Sequence, residues 1–153
     1  MTMQTDSSNI YKKARMAAGI TQERAAEFLD ISVRSLADYE SGVRVPQCDV
    51  VDGMVTVYNS QLLAVQHVRM EGQAIRDILP EVRAMRLPEA VLTFVHGMYE
   101  FCGDHLDREL IDMARDGVIS EDEEERFDRI MQQMGRCYAA YLSLRCSHRD
   151  RRD

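Results

Sequence analysis

The spacing of the apolar residues restricts this chain most, because they recur in steps of three and four wherever a segment is long enough to show a period. From Pro88, a favourable first helical residue, the stripe Val91, Val95, Met98, Cys102, Leu106, Leu110, Met113 predicts one helix to about Arg115. Gly97 and Gly103 interrupt its propensity and mark a bend or a close helix contact. Asp116-Gly117 ends it, and Ser120-Glu121-Asp122-Glu123 has the form of a capping box opening a last helix to about Cys146. That helix carries Phe127, Ile130, Met131, Met134, Cys137, Tyr138, Tyr141 and Leu142. Two such stripes joined by a short turn predict an antiparallel hairpin over residues 88–148.

The first seventy residues show the same period in shorter pieces. Ile10 to Ala18 predicts a helix closed by Gly19, a residue suited to the left-handed position after a helix end. Thr21 is an N-cap for Gln22 to Leu29, Asp30-Ile31 is a tight turn, and Ser32 caps a third helix from Val33 to Ser41 that Gly42 closes. Pro46 precedes a fourth helix, Cys48 to Tyr58, and Asn59-Ser60 separates it from a fifth, Gln61 to Met70. The expected organisation is a tail at 1–9, a five-helix domain at 10–70, a linker at 71–87 broken by Pro80, the hairpin at 88–148 and a tail at 149–153.

Charge is the feature least expected of a nucleic-acid binder. The 153 residues carry a formal net charge of −7. Residues 1–66 hold six lysines and arginines against eight acids, so any affinity for phosphate has to come from a local patch. No apolar run reaches the length of a membrane span, and the polar start lacks the pattern of a signal peptide, which points to a cytoplasmic protein. Cys48, Cys102, Cys137 and Cys146 lie far apart and form no C-x-x-C pair, so they read as small hydrophobes in a reducing compartment.

Residues 20–42 combine three requirements of a helix-turn-helix. Two short helices flank a turn of three to four residues, the small Ala26 sits where the first helix must approach the second, and Leu36 and Tyr39 face inward. That leaves Val33, Arg34, Ser35 and Asp38 facing outward.

The run Ile20-Thr-Gln-Glu-Arg-Ala-Ala-Glu-Phe-Leu-Asp-Ile-Ser-Val-Arg-Ser-Leu-Ala-Asp-Tyr-Glu-Ser-Gly42 resembles the phage-repressor-like helix-turn-helix family known as XRE. The resemblance extends from about Ile10 to Leu63 and takes in Arg15, the Tyr39-to-Gly42 ending and Pro46. It implies a lambda-repressor-like five-helix domain whose second motif helix enters the major groove of double-stranded DNA. Carried over, Val33, Arg34 and Asp38 face base edges, while Lys12, Gln22, Ser35, Ser41 and Arg44 contact phosphates. Arg15 and Glu40 match a pair that the family uses as an internal salt bridge. Arg34 has the chemistry for guanine O6 and N7, and Val33 for a thymine methyl. Asp38 suits only a cytosine amine, or else steadies Arg34 one turn earlier on the same face. Asp30 stands where the family commonly has Gly or Asn. The stretch Asp116 to Glu123 after a long apolar helix resembles small XRE-type regulators of Gram-positive prophages and mobile elements.

Other constellations have simpler readings. Asp112 to Glu123 partly matches a calcium loop, but Ala114 removes a required ligand, so Asp116-Gly117 reads as a turn and Ser120 with Glu123 as a cap. His96, Cys102 and His105 are too far apart on one helix to share an ion. No nucleophile elbow, phosphate loop or carboxylate pair is present, and nothing calls for a metal, a cofactor or an enzyme.

The expectation is therefore an all-α chain that binds DNA as a homodimer through residues 88–148, with two recognition helices for a palindromic operator, and acts as a transcriptional repressor. The alternative is a helix-turn-helix kept as a protein-interaction module that does not touch DNA. A third reading adds a pocket for an effector, which no residue identifies.

Overall fold

The computed structural model describes residues 9–149. The tails expected at 1–9 and 149–153 lie outside the described residues, except for Asn9 and Arg149. The described secondary structure is entirely helical: α1 (Ile10–Ala17), α2 (Gln22–Phe28), α3 (Val33–Glu40), α4 (Cys48–Val57), α5 (Gln61–Met70), α6 (Gln73–Ile78), α7 (Leu87–Gly103), α8 (Leu106–Met113) and α9 (Glu124–Arg149). Among these, no helix is long and apolar enough to cross a membrane. The chain divides into two units at Leu79–Pro80, inside the segment expected to be a linker. That segment also carries α6, which is too short for its period to be read from sequence.

Local chemistry sets the helix ends of the first unit. The Asn9 side chain accepts from the backbone N–H groups of Tyr11 and Lys12, Thr21 from Arg24, and Ser32 from Ser35. Each such cap contributes about 1 kcal/mol by giving an orphan donor a partner. Between α2 and α3 the chain turns at Asp30, whose φ of 52° lies in the left-handed region that Asp tolerates better than most side chains. Gly42 has φ 77° beyond the end of α3.

The core of this unit gathers Tyr11, Ala25, Ala26, Leu36, Val51, Met54, Tyr58 and Leu63, with Tyr39 at its edge. Leu36, Met54 and Leu63 are completely buried, and each contributes about 1.5–3 kcal/mol by leaving water. Polar contacts fasten the periphery. Tyr11 Oη lies 2.9 Å from Nδ1 of the buried His67, joining α1 to α5, and Arg69 Nε donates to the Leu79 carbonyl at 2.8 Å.

The second unit departs from the sequence reading in two ways. The helix expected to run from Pro88 to Arg115 breaks after Gly103, where His105 takes φ 59° and α8 restarts at Leu106. Gly103-Asp104-His105 is a run of weak helix formers, and the step from Cys102 to Leu106 keeps its period straight across the break. Nor does the α7 part of the expected inward stripe meet α9, although Leu106, Leu110 and Met113 do pack with Ile130 and Phe127 of that helix. Val91, Val95 and Met98 remain 39–44% exposed and Cys102 is exposed, while Ala90, Phe94, Gly97 and Phe101 turn inward.

Antiparallel packing of α7 on α9 follows from the contacts. Phe94 tilts against Tyr141 at 6.4 Å between ring centroids, a Cβ on Gly97 would stand 3.1 Å from Cys137 Sγ, and Gln133 Nε2 donates to Glu100 Oε2 at 3.3 Å. Residue numbers rise on one helix as they fall on the other. Gly97 is thus the close-approach point of the hairpin. At the far end, Leu106, Met113 and Ile130 form a small core with Phe101, Leu110, Ile119 and Phe127 around it. Glu123 reaches back to the backbone N–H of Ser120 at 3.0 Å, the carboxylate half of the capping box.

Candidate nucleic-acid interface

Helix α3 is held at both ends and along its inner side. Ser32 caps its start at 3.0 Å to the Ser35 backbone N–H, and Leu36 and Tyr39 sink into the core against α2, where Ala25 and Ala26 allow close approach. Its end is fastened from α1: Asn9 Nδ2 donates to the Tyr39 carbonyl at 2.6 Å, which sets the first turn of α1, with Lys12, against the end of α3. The sequence reading had left Asn9 in the tail. Its position before Ile10, as an N-cap type of residue, was the available signal.

The outer side of α3 presents Val33, 40% exposed, and Arg34, also exposed, with Ser35 and Asp38 half-buried. Among the described residues, no ion pair takes up Arg34. Asp38 and Arg34 are not joined, although the sequence offered that pairing. An exposed pair one turn apart gains only about 0.2–0.5 kcal/mol, too little to hold both side chains out of water. Ser35 Oγ lies 2.8 Å from Ser32 Oγ, and Ser41 Oγ donates to the Asp38 carbonyl at 3.2 Å. The Arg44 guanidinium stands over the Tyr39 ring, 5.7 Å from its centroid, a contact that sequence spacing does not reveal.

Behind this surface lies a buried ion pair. Arg15 Nε and Nη2 reach the two carboxylate oxygens of Glu40 at 2.6 and 2.9 Å, and Nη1 donates to the Ile20 carbonyl at 2.7 Å. Gln22 Nε2 adds a bond to Glu40 Oε2 at 3.1 Å. Gln22, expected at a phosphate, is thus a member of this internal network, with one amide hydrogen remaining. The hydrogen bonds that Arg15 donates to Glu40 raise its pKa further above its already high value, against the opposing effect of burial.

These pairings change what the acidic composition means at the surface. Glu40 is taken up by Arg15, and Glu27 by Arg24 at 2.7 Å. Among the described residues, Lys12, Lys13, Arg34 and Arg44 carry no ion pair, so the local balance around α3 is less acidic than the count for residues 1–66 suggests. Glu23, Asp30 and Asp38 remain nearby as unpaired acids of the same region.

Among the described residues, no group of His, Cys, Asp and Glu is placed to hold a metal ion. Residues 12–62 match the family model described as helix-turn-helix. No curated protein and no solved structure matches the chain.

Proposed function

Since residues 12–62 are a helix-turn-helix domain of the XRE type, the domain of DNA-binding regulators, we propose that this chain is a sequence-specific transcriptional repressor. It sets α3 in the major groove of an operator. The observation that carries this reading is the contrast across α3. Leu36 and Tyr39 anchor the helix from within, while Val33 and Arg34 stand in solvent without a partner among the described residues. A rigid helix with a free guanidinium on its outer side is what base reading requires.

In this reading Val33, Arg34 and Asp38 meet base edges. Lys12, Ser35, Ser41 and Arg44 meet phosphates, joined by the second amide hydrogen of Gln22. Arg15 and Glu40 fix the angle between α1 and α3 and take no part in contacts. The Arg44 stack on Tyr39 supports a phosphate role, because it fixes a long side chain at the helix end before binding. Two copies acting together place two α3 helices about 34 Å apart, one turn of the duplex, and so read a palindrome.

Selection from a pool of random duplexes across a salt series tests the proposal. The expected result is an enriched palindrome whose affinity falls steeply as salt rises, through release of counterions. No retention even at low salt overturns it and leaves the helix-turn-helix as a protein-interaction module.

A further inference from the structure

Asn9, Tyr11 and His67 join the start of α1 to two other helices. Asn9 uses both ends of its amide. Its Oδ1 accepts from the backbone N–H groups of Tyr11 at 3.0 Å and Lys12 at 3.3 Å, and its Nδ2 donates to the Tyr39 carbonyl at 2.6 Å. That carbonyl lies in the last turn of α3, among those that a helix end leaves without their usual donor, and it also accepts from the Gly42 N–H at 3.2 Å. Two residues after Asn9, Tyr11 is buried, and its Oη lies 2.9 Å from Nδ1 of His67, which is itself buried on α5. A hydrogen-bonded path therefore runs from α5, through the first turn of α1, to the end of α3.

A second attachment gives this path its effect. Arg15 and Glu40 join α1 to α3 further along α1. Asn9 stands six residues before Arg15, about 9 Å along the helix axis, and grips the residue next to Glu40. One attachment fixes a point and lets α3 pivot about it, whereas two fix a direction. Tyr11 and His67 refer the second attachment to α5, so it does not simply travel with α3.

We infer that Asn9, Tyr11 and His67 are positioning residues for base reading, fixing the direction of α3 before it meets a duplex. The inference rests on the DNA reading above and names residues on which its specificity depends away from the contact surface. Its consequence is selective. A base edge takes two hydrogen bonds from the Arg34 guanidinium in one set geometry, while attraction to phosphate depends on charge and survives a displaced helix. A loosened α3 must also be ordered on binding, a cost that a fixed helix avoids. Loosening therefore loses the operator and keeps unrelated duplex.

Asn9→Ser tests this, because serine keeps the cap on α1 and is too short to reach Tyr39. Affinity for the selected operator should fall about 5–10-fold, the worth of one hydrogen bond, with binding to scrambled duplex and the salt slope unchanged. Tyr11→Phe should produce a smaller fall of the same kind and add little in the Asn9→Ser background, since both act on one path. His67→Asn, whose Oδ1 replaces Nδ1 bond for bond, should bind as the wild type does. Hydrogen exchange of the free chain gives the second measurement: the Ser41 and Gly42 amides should exchange faster in Asn9→Ser and Tyr11→Phe, with those of α4 unchanged. An Asn9→Ser chain that keeps the full operator preference, or loses both duplexes equally, overturns the inference, as does a Tyr11→Phe effect that adds in full. A wild type that retains no duplex overturns the DNA reading alone. Exchange at Ser41 and Gly42 then decides whether the path holds α3, and wild-type rates there overturn the inference whatever the chain binds.

Discussion

Arg15 and Glu40, 25 positions apart in sequence, meet through both carboxylate oxygens with side chains only 11% and 3% exposed. This ion pair sits behind α3, and its energetics are asymmetric. Bringing two charges out of water costs about as much as their attraction returns, whereas removing one partner strands the other in the interior.

Arg15→Ala should therefore cost about 3–5 kcal/mol, because Glu40 would keep only Gln22 as a donor. Replacing both charges, Arg15→Met with Glu40→Leu, should recover most of that loss. Urea unfolding followed at the first unit checks both. A single variant as stable as the wild type would mean that Glu40 finds water, and that the pair is not the brace between α1 and α3.

Tyr58 gives a prediction with a pH axis. Its hydroxyl is buried and has no hydrogen-bond partner among the described residues, and burial, with Glu40 adding to it, pushes its pKa up to about 12. The ordinary tyrosine value is near 10, so the folded state holds this proton more tightly than the unfolded chain. The corresponding stability is complete below pH 10 and is lost as pH rises toward 12. Tyr58→Phe removes the orphaned hydroxyl and should add about 1 kcal/mol at neutral pH. It should also flatten the loss of stability between pH 10 and 12. Some slope should remain from Tyr11, whose pKa burial and Glu71 also raise.

The contrast between the two units explains what was legible in the sequence. Thr21, Ser32, Asp30 and Gly42 punctuate the first unit, each acting on a backbone group within a few residues. Caps and turns of that kind are written locally, and α1 to α5 could be placed to within a residue. The face of α7 was not readable in that way. Its apolar arc is wider than one neighbour covers, so periodicity offered Val91 and Val95 as readily as Ala90 and Phe94. Gly97 favours the second set, because a residue without Cβ lets Cys137 approach without displacement. The same limit applied at the interface. The exposure of Arg34 followed from helical spacing, but the Asn9 bond to Tyr39 and the diversion of Gln22 to Glu40 depend on side chains from different helices.

Gly97 makes that packing testable. A methyl group there would lie 3.1 Å from Cys137 Sγ, so α9 must yield by a few tenths of an ångström. Gly97→Val goes further and should cost about 1–3 kcal/mol by overpacking. Combining Gly97→Ala with Cys137→Ala removes the obstructing sulfur and should leave the hairpin as stable as the wild type, or more so, because alanine favours the helix by about 1 kcal/mol. Thermal unfolding of the wild type, Gly97→Ala, Cys137→Ala and the double variant gives the coupling. Strict additivity would mean that the two residues do not meet.

Two arginines at the proposed interface should fail differently. Arg34→Ala removes the guanidinium proposed to read a base from the outer side of α3 and should cost about 1–3 kcal/mol on the selected operator while leaving the weak binding to unrelated duplex nearly unchanged. Arg44→Ala removes the proposed phosphate donor held over Tyr39. It should weaken both duplexes by a similar factor and lower the slope of log affinity against log salt by about 1. Neither variant breaks an ion pair among the described residues, so Arg34→Ala should keep the wild-type unfolding midpoint, and Arg44→Ala should lower stability by no more than about 0.5–1 kcal/mol, the worth of its stack on Tyr39. Titration of each variant against operator and scrambled duplex at two salt concentrations separates the roles. If Arg34→Ala weakens both duplexes equally, α3 touches only the backbone, and the specificity of the chain lies elsewhere on its surface.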